Sequence, residues 1–271
     1  MTQDMKSGHI LMTLLAGKKG IVMGVANDRS IAWGISKLAS EWGADMVFSY
    51  QNVLLKKRVA TLAESIGCMD AVVECDVSKE GHVKQLMDFA ANKFGKIDFI
   101  VHSMAYSDKK ELQGPYYNTS RKNFLNAMDI SVYSFTETCR EALPILNEGA
   151  SLMTLSYLGS QRVLPNYNVM GVAKAALEAS TRYLAADMGA YNIRVNAVSP
   201  GPIKTMAASV IGDFDKMLQS GEKASPIHRR VTIGDVGGMA CFLMTDHAAA
   251  ITGGVHYVDA GYNIMGMSEE L

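Results

Sequence analysis

The sequence predicts an α/β fold, in which a single domain is built on a doubly wound parallel sheet of about seven strands. Short apolar runs alternate with segments of helical spacing along most of the chain. The first three helical segments are each followed by a glycine, at Gly43, Gly67 and Gly95. This alternation is typical of parallel sheets with helices on both faces, because each parallel connection needs a crossover, usually a helix.

The strands are predicted from short runs of small, apolar and β-branched residues, and the helices from apolar residues three or four positions apart. The predicted strands are 20–25, 45–50, 71–75, 99–102, 150–155, 194–199 and 255–258. The predicted helices are 31–42, 54–66, 80–94, 132–146, a segment opened by Pro165 and Asn166, and 236–244.

Size and composition indicate a soluble globular protein. The chain has 271 residues, of which 48% are hydrophobic and 20% charged. Residues 1–13 are predicted to be a flexible N-terminal extension, since the first nine are mostly polar, and 14–271 to be one domain. No repeat, low-complexity stretch or linker divides the chain.

Charge and cysteine content exclude several classes of partner and site. A net charge of −1 gives no bulk field for nucleic acid or an anionic membrane, and no apolar run is long enough to span a bilayer. The four cysteines show no paired short spacing, which favours a reduced cytoplasmic compartment. The six histidines are scattered, so no metal site is expected.

The turn after the first predicted strand suits a dinucleotide. Residues from Gly24 to Ser30 lead into a helix, and such a turn brings backbone N–H groups and a helix N-terminus to a pyrophosphate. Gly24 permits the tight turn, and Ser30 can cap the helix and donate to phosphate. An ordinary β–α loop with a serine cap explains the same residues, and both interpretations stay open.

Polar or small residues follow the next three predicted strands. Gln51 stands where dinucleotide folds place a residue against the adenosine ribose. Asp76 can accept an adenine amine, or it can be a turn aspartate ahead of a cap at Ser78. Ser103 leaves room for a cofactor, whereas His102 is interpreted as a packed core histidine.

The segment from Ser156 to Lys174 carries the strongest chemical signal. Tyr157 follows a predicted strand, where open α/β sheets bind ligands, and Tyr167 and Lys174 are seven residues apart on a predicted helix. Seven residues are about two turns, so both side chains leave one face. An ammonium there is expected to lower the pKa of a phenol that serves a developing oxyanion. The competing interpretation is that the tyrosines only pack.

Together these motifs resemble a family. The chain resembles the divergent, Rossmann-type short-chain dehydrogenases/reductases, and more narrowly the bacterial NADH-dependent enoyl-acyl-carrier-protein reductases of type II fatty acid synthesis. The resemblance runs from about residue 14 to the end. It rests on the Gly24–Ser30 turn, 49–52, 155–159, 165–171 and 201–205, and on the spacing from Tyr157 to Tyr167 to Lys174. Ordinary short-chain dehydrogenases place tyrosine four residues before the lysine, where this chain has Met170.

The resemblance implies a role for each site residue. Tyr167 would face the thioester carbonyl with Tyr157 beside it, Lys174 would hold the nicotinamide ribose, and Ser107 would lie near the substrate. Residues that would line the NADH site are Gly24, Ser30, Ile31, Gln51, Asp76, Val77 and Met104. Residues that would contact nicotinamide and pyrophosphate are Ile203, Lys204, Thr205, Met206 and Ala207.

The resemblance also implies partners. Acyl carrier protein would deliver the enoyl thioester, and the chain would form a homotetramer in which 255–267 pack against a symmetry mate. The helix after the loop carries only Lys216 as a basic residue, so Lys204, Arg229 and Arg230 are the candidates that compensate in docking an acidic carrier protein. Ala105 replaces a glycine found in many relatives.

Three further expectations complete the sequence interpretation. Residues 205–218 are expected to form a lid over the site. NADH is expected over NADPH, since Gln51 is neutral and the basic residues from Lys56 to Arg58 are expected to point to solvent. Two alternatives stay open: a ketone or alcohol reductase on the same scaffold, and a non-catalytic dinucleotide-binding regulator.

Overall fold

A seven-stranded parallel sheet forms the centre of the computed structural model, which describes residues 13–205 and 214–266. The strand order is β3-β2-β1-β4-β5-β6-β7. The strands are β1 Lys19–Met23, β2 Asp45–Tyr50, β3 Val72–Glu74, β4 Ile97–His102, β5 Leu146–Leu155, β6 Arg194–Pro200 and β7 Val255–Val258.

The strand order reverses beside β1. Ile21 of β1 is in register with Val47 of β2 on one side and with Ile100 of β4 on the other. The connections therefore diverge between β1 and β4, and they leave a crevice at the carboxyl ends of these strands. Ligands of open α/β sheets bind in such a crevice.

Helices cover both faces of the sheet. The α-helices of the described residues are α1 Ile31–Glu41, α2 Val53–Ser65, α3 His82–Phe94, α4 Arg121–Met128, α5 Ser134–Ala142, α6 Asn168–Gly189, α7 Phe214–Ala224 and α8 Ile233–Met244. None of these is long and apolar enough to cross a membrane.

Two hydrophobic cores lie on opposite faces because successive strand residues point to opposite sides. Val22 packs in the core formed with α1, α2 and α8, whereas its neighbours Ile21 and Met23 pack in the core formed with α3, α5 and α6. Both faces are thus covered, which explains why the strands read as nearly continuous apolar runs. The predicted doubly wound parallel sheet is confirmed.

The seven predicted strands are all present, but two connections differ from prediction. The segment predicted as one helix over 132–146 is divided into a π-helical turn at Asp129–Tyr133, α5, and a 3-10 turn at Leu143–Ile145 that contains Pro144. Proline disrupts a helix interior, so the helix does not continue, and β5 begins at Leu146, directly after the 3-10 turn. The sequence analysis also did not predict α4.

The start of the central helix was predicted wrongly. Pro165 and Asn166 lie before α6, which begins at Asn168 with Tyr167 as its N-cap residue. Asn166 and Asn168 both have positive φ, at 59° and 37°. Asparagine tolerates this left-handed region better than most residues, so the chain makes a sharp turn around Tyr167 before the helix starts.

Candidate active site

The turn between β1 and α1 passes very close to the end of β4. Gly24 has a φ of 95°, and a Cβ built on it would lie 2.0 Å from the carbonyl oxygen of Ser103. The amide of Ser103 donates to Met23 O at 3.1 Å, which holds the two strand ends together. Glycine is therefore required here both by backbone conformation and by space.

Ser30 shapes this turn in a different way from that expected. Its Oγ accepts hydrogen bonds from the amides of Ala26 and Asn27, each at 3.1 Å. Ser30 occupies the N-cap position of α1, but its side chain makes no capping bond to the helix. The expectation of a serine side-chain cap is wrong, because the hydroxyl turns back to hold the loop.

The N-terminus of α1 fits a pyrophosphate group. Its first turn, which starts at Ile31, contains no acidic residue. Free N–H groups at a helix start and the positive end of the helix dipole favour an anion there. The close backbone approach at Gly24 places this helix start beside the crevice, so the residues present fit a dinucleotide.

Gln51 lies exposed in the bend after β2, and Asn52 caps α2 by accepting the Leu54 amide at 3.1 Å. The expectation that the basic residues of α2 only point to solvent is wrong for Arg58. Its Nη1 donates to the carbonyl oxygen of Ala26 at 3.5 Å, so the guanidinium reaches back to the Gly24–Ser30 turn.

Asp76 follows β3 as a turn residue. Its Oδ1 accepts from the Ser78 amide at 3.1 Å and from Ser78 Oγ at 2.7 Å. One oxygen of the Asp76 carboxylate therefore serves a turn. The expectation that Ser78 caps a helix is wrong, because α3 begins at His82 with Gly81 at its N-cap position. Val77 is buried and Met104 is partly buried against the core under α3.

The two tyrosines form an edge-to-face pair beyond the end of β5. The ring centroids of Tyr157 and Tyr167 are 5.1 Å apart, with an edge-to-face angle of 67°. A Cβ on Gly159 would lie 2.4 Å from Cδ1 of Tyr167, and one on Gly171 would lie 2.7 Å from Gly159 O. The absence of a side chain at Gly159 and Gly171 thus lets the buried Tyr167 ring and α6 pack closely against this turn.

Burial, rather than a neighbouring charge, controls the ionisation of both phenols. It raises the pKa of Tyr167 well above its usual value, and the neighbouring Tyr157 adds to that rise. It raises the pKa of Tyr157 in the same direction. The expected lowering by Lys174 is therefore wrong, because desolvation disfavours a phenolate. Both phenols remain protonated donors at neutral pH.

Lys174 is a buried lysine at the sheet edge. Its Nζ donates to the carbonyl oxygen of Leu155, the last residue of β5, at 2.6 Å. Burial lowers its pKa to about 8, and the Glu178 carboxylate opposes that shift. The side chain is thus a cation over most of the neutral range, fixed against the last residue of β5.

His102 behaves as the packed histidine that was expected. Its Nδ1 lies 3.1 Å from Thr154 Oγ1 and its Nε2 lies 2.7 Å from Ser134 Oγ. Burial, together with the nearby Lys174 charge, lowers its pKa to about 3. The ring is therefore uncharged and its nitrogens already have partners.

Ser107 sits in the loop after β4 and is held by a helix that the sequence analysis missed. Asn123 of α4 donates from Nδ2 to Ser107 Oγ at 3.1 Å, and its Oδ1 accepts the Asp108 amide at 2.8 Å. Asn123 is buried. Its place in a polar segment, Arg-Lys-Asn-Phe, gave no signal of a structural role.

The segment after β6 brings Ile203, Lys204 and Thr205 to the same edge of the sheet. Met206 and Ala207, with most of the lid expected over 205–218, lie outside the described residues.

Both arginines that were expected to help dock acyl carrier protein form ion pairs within this chain. Arg229 makes a bidentate pair with Asp235 at 2.8 and 2.9 Å, and Arg230 contacts Glu222 at 2.8 Å.

The described residues contain no group of three or more histidine, cysteine or acidic side chains placed to hold a metal ion. The sheet instead brings the predicted site residues together at its carboxyl edge, where Gly24, Gln51, Asp76 and Met104 follow the first four strands. A sheet of this topology, with a crevice at the carboxyl ends of its strands, is the Rossmann-type fold of the short-chain dehydrogenase/reductase class.

Comparison with known proteins narrows that class. The family model described as "Enoyl-(Acyl carrier protein) reductase" matches residues 24–263. The chain is 52% identical over 256 residues to the enoyl-(acyl-carrier-protein) reductase (NADH) of Rickettsia bellii, covering 94% of this chain and 97% of that protein. The chain belongs to the enoyl-(acyl carrier protein) reductase family.

Solved structures agree. The enoyl-(acyl-carrier-protein) reductase (NADH) from Aquifex aeolicus superposes with a TM-score of 0.91 at 47% identity, covering 94% of this chain and 99% of that one. The reductase from Anaplasma phagocytophilum, solved in complex with NAD, gives 0.91 at 48% identity, covering 94% and 97%. The expected family, fold class, enzyme class and NADH cofactor are confirmed.

Proposed function

We propose that this chain reduces the carbon–carbon double bond of a trans-2-enoyl thioester on acyl carrier protein, with Tyr167 as the hydrogen-bond donor to the thioester oxygen. The observation that carries this assignment is the edge-to-face contact of partly buried Tyr157 with buried Tyr167 beyond the end of β5, the strand whose last carbonyl oxygen accepts a hydrogen bond from Lys174. Bound NADH supplies the hydride for the β-carbon.

Tyr167 is suited to stabilise negative charge on the thioester oxygen. Its raised pKa keeps the phenol protonated, so it donates a hydrogen bond without giving up its proton. A fixed donor aimed at the place where charge develops lowers the barrier more than it strengthens ground-state binding. The T-shaped contact with Tyr157 and the glycine-lined space hold the ring in one position.

Lys174 is proposed to bind the nicotinamide ribose. An ammonium group has three donors. The Leu155 carbonyl takes one at 2.6 Å and fixes the side chain, so the remaining two can serve ribose hydroxyls. The cation also adds positive potential at the site of the developing oxyanion.

The other residues proposed to bind the cofactor are assigned by their places at the carboxyl edge of the sheet. Gly24 and the start of α1 would hold the pyrophosphate, Gln51 the adenosine ribose, and Asp76 the adenine through its carboxylate. Residues proposed to complete the binding site are Ser30, Ile31, Val77, Met104, Ile203, Lys204, Thr205, Met206 and Ala207. Ser107, anchored by Asn123, would lie near the substrate.

A spectrophotometric assay tests the proposed reaction. The protein is mixed with NADH and crotonyl-CoA or a longer enoyl thioester, and the absorbance of reduced nicotinamide is followed. We expect consumption that depends on the enoyl double bond. Consumption with a ketone but not with an enoyl thioester would instead establish the alternative carbonyl reductase, and no consumption with either would indicate the non-catalytic regulator.

A homotetramer in the cytoplasm is proposed as the working state. Half-buried residues of the edge strand β7 and the 72% exposed Ile264 after it are apolar surface that a symmetry mate would cover. Light scattering at micromolar concentration should give four times the chain mass of 29.4 kDa. A monomeric mass would refute the tetramer.

A further inference from the structure

Glu178 is a buried carboxylate one helical turn beyond Lys174, and none of the site roles above includes it. It is 5% exposed on α6. Burying a carboxylate is costly unless hydrogen bonds or opposite charge compensate it. Its surroundings therefore indicate what it does.

Two serine hydroxyls converge on a single oxygen of Glu178. Ser156 Oγ donates to Oε1 at 2.5 Å and Ser160 Oγ donates to the same oxygen at 2.6 Å. Hydrogen bonds to an ionised acceptor are shorter and stronger than those between neutral groups. The two donors come from one short loop, so the carboxylate fastens that loop to α6.

The fastened loop carries the catalytic centre. Tyr157 lies between the two serines, and the loop continues as the 3-10 turn Leu158–Ser160. Gly159 in this turn touches the ring of Tyr167. A shift of the loop relative to α6 would therefore displace one tyrosine directly and remove the support of the other.

Glu178 follows Lys174 by four residues on α6, and both are buried, so the two side chains leave the same face of the helix one turn apart. Burial lowers the pKa of Lys174 to about 8, and the Glu178 carboxylate is the charge that opposes this. His102 of β4, whose pKa is lowered to about 3, is uncharged, and the buried phenols of Tyr157 and Tyr167 are neutral.

Tyr257 of β7 is a third phenol with a raised pKa. Burial is the main cause of that rise, and the charges of Glu178 and Asp259 add to it while Arg162 opposes it. Of these acidic residues, Glu178 is the one whose charge acts on the Lys174 ammonium.

We propose that Glu178 is a positioning residue for the reaction: it fastens the turn that carries Tyr157 to the helix that carries Lys174, and it keeps the Lys174 ammonium charged for cofactor binding. This inference rests on the proposed function of these residues. Glu178 acts through those residues, since its Oε1 accepts the hydroxyls of both serines.

The charge role is tested with Glu178→Gln, which keeps the shape of the side chain. The control is Glu64→Gln, at an exposed position near the end of α2. NADH binding is titrated by fluorescence from pH 6 to 9 without thioester. We expect the pH midpoint of NADH binding to fall by about one unit, which is about tenfold weaker binding at pH 9. An unchanged midpoint would overturn the charge role.

The fastening role is tested with the double variant Ser156→Ala/Ser160→Ala, which retains the carboxylate. We expect kcat for enoyl reduction to fall by about tenfold or more, the scale for losing buried hydrogen bonds, while the NADH midpoint stays in place. Wild-type kcat in the folded double variant would show that the loop needs no fastening.

If Glu178→Gln does not fold, Glu178→Asp is used to separate the charge role from the fastening role. Aspartate keeps the charge but is one methylene too short to meet both serines, so the NADH midpoint should stay while kcat falls. Wild-type kcat or a shifted midpoint would overturn the proposal. Because NADH binding is measured without thioester, a midpoint shift in a protein inactive on enoyl thioesters would refute the reaction and support the charge role.

Discussion

The ring of Tyr167 occupies the space in which a side chain on Gly159 would stand. A Cβ on Gly159 would lie 2.4 Å from Cδ1 and 2.6 Å from Cε1 of that ring. Since contacts under 3.0 Å force a shift, the position of the proposed oxyanion donor depends on a residue that has no side chain of its own.

We therefore expect Gly159→Ala to impair catalysis by moving the Tyr167 ring. Overpacking of this kind typically costs about 1–3 kcal/mol of folding stability, and a displaced donor loses catalytic stabilisation as well. The measurements are kcat for crotonyl-CoA reduction and the midpoint of thermal unfolding. Gly189→Ala is the matched control, because a Cβ there meets nothing within 4 Å. Equal kcat in both variants would contradict the argument.

Tyr167→Phe should lower enoyl turnover by about 10²–10³, the usual cost of removing one oxyanion donor. The substituted side chain keeps the aromatic ring and its edge-to-face contact with Tyr157, so NADH binding should hardly change. Tyr183→Phe is the control, since Tyr183 lies on the same helix and is 76% exposed. Wild-type turnover in pure Tyr167→Phe would remove Tyr167 from the mechanism.

The lowered pKa of Lys174 predicts opposite pH effects on binding and folding. NADH affinity should fall as pH rises through about 8, because the ammonium loses its proton there. Folding stability should change in the other direction. Between about 8 and the ordinary value of 10.5 the unfolded chain binds the extra proton, so this residue makes the folded state more stable as pH rises.

Comparison with Lys174→Met isolates that contribution. Urea unfolding of both proteins at pH 7.5 and 9.5 should show a larger rise, or a smaller fall, in the unfolding free energy of the wild type. Buried phenols change stability in the opposite sense at higher pH, but they are present in both proteins and cancel. A difference of zero between the two proteins would mean that the lysine is not desolvated.

The strand pattern was predictable from sequence because the central strands are buried on both faces, while the edge strands β3 and β7 are half-buried. Runs such as 20–25 are apolar or small throughout, as is typical of parallel sheets that are covered on both faces. The connection through Pro144 was not predictable from helical spacing, since a π-helical turn and a 3-10 turn replace parts of one regular helix. Helix α4 was missed because its residues are mostly polar and it buries few of them.

Tyr157, Tyr167 and Lys174 were singled out by their spacing and by the family resemblance, and their catalytic roles stay predictions, whereas their electrostatics could not be predicted. Ionisation depends on burial, which one sequence does not give, so the pKa of Tyr167 was assigned the wrong direction. Glu178 was missed for the same reason, although an acidic residue four positions after Lys174, on a helix face with small residues, is a usable signal. Ser30 was assigned as a cap because serine commonly is one.

Arg58 gives the cofactor preference a structural basis that can be tested. We expect NADH to be preferred over NADPH by about 1–3 kcal/mol, since Gln51 pairs with a free 2′-hydroxyl but offers a phosphate dianion no charge. Arg58 contacts Ala26 O at 3.5 Å, so it is a cation that reaches the turn beside the cofactor crevice. Any residual use of NADPH should therefore depend on it.

The measurement is kcat/KM for both cofactors with one enoyl substrate. Arg58→Gln should lower kcat/KM for NADPH while that for NADH stays within about twofold, because a free hydroxyl needs no cation. Lys56→Gln on the same helix is the control and should change neither value. Equal kcat/KM for the two cofactors in the wild type would contradict the preference itself. An Arg58→Gln protein with unchanged NADPH kinetics would show that this guanidinium does not face the ribose.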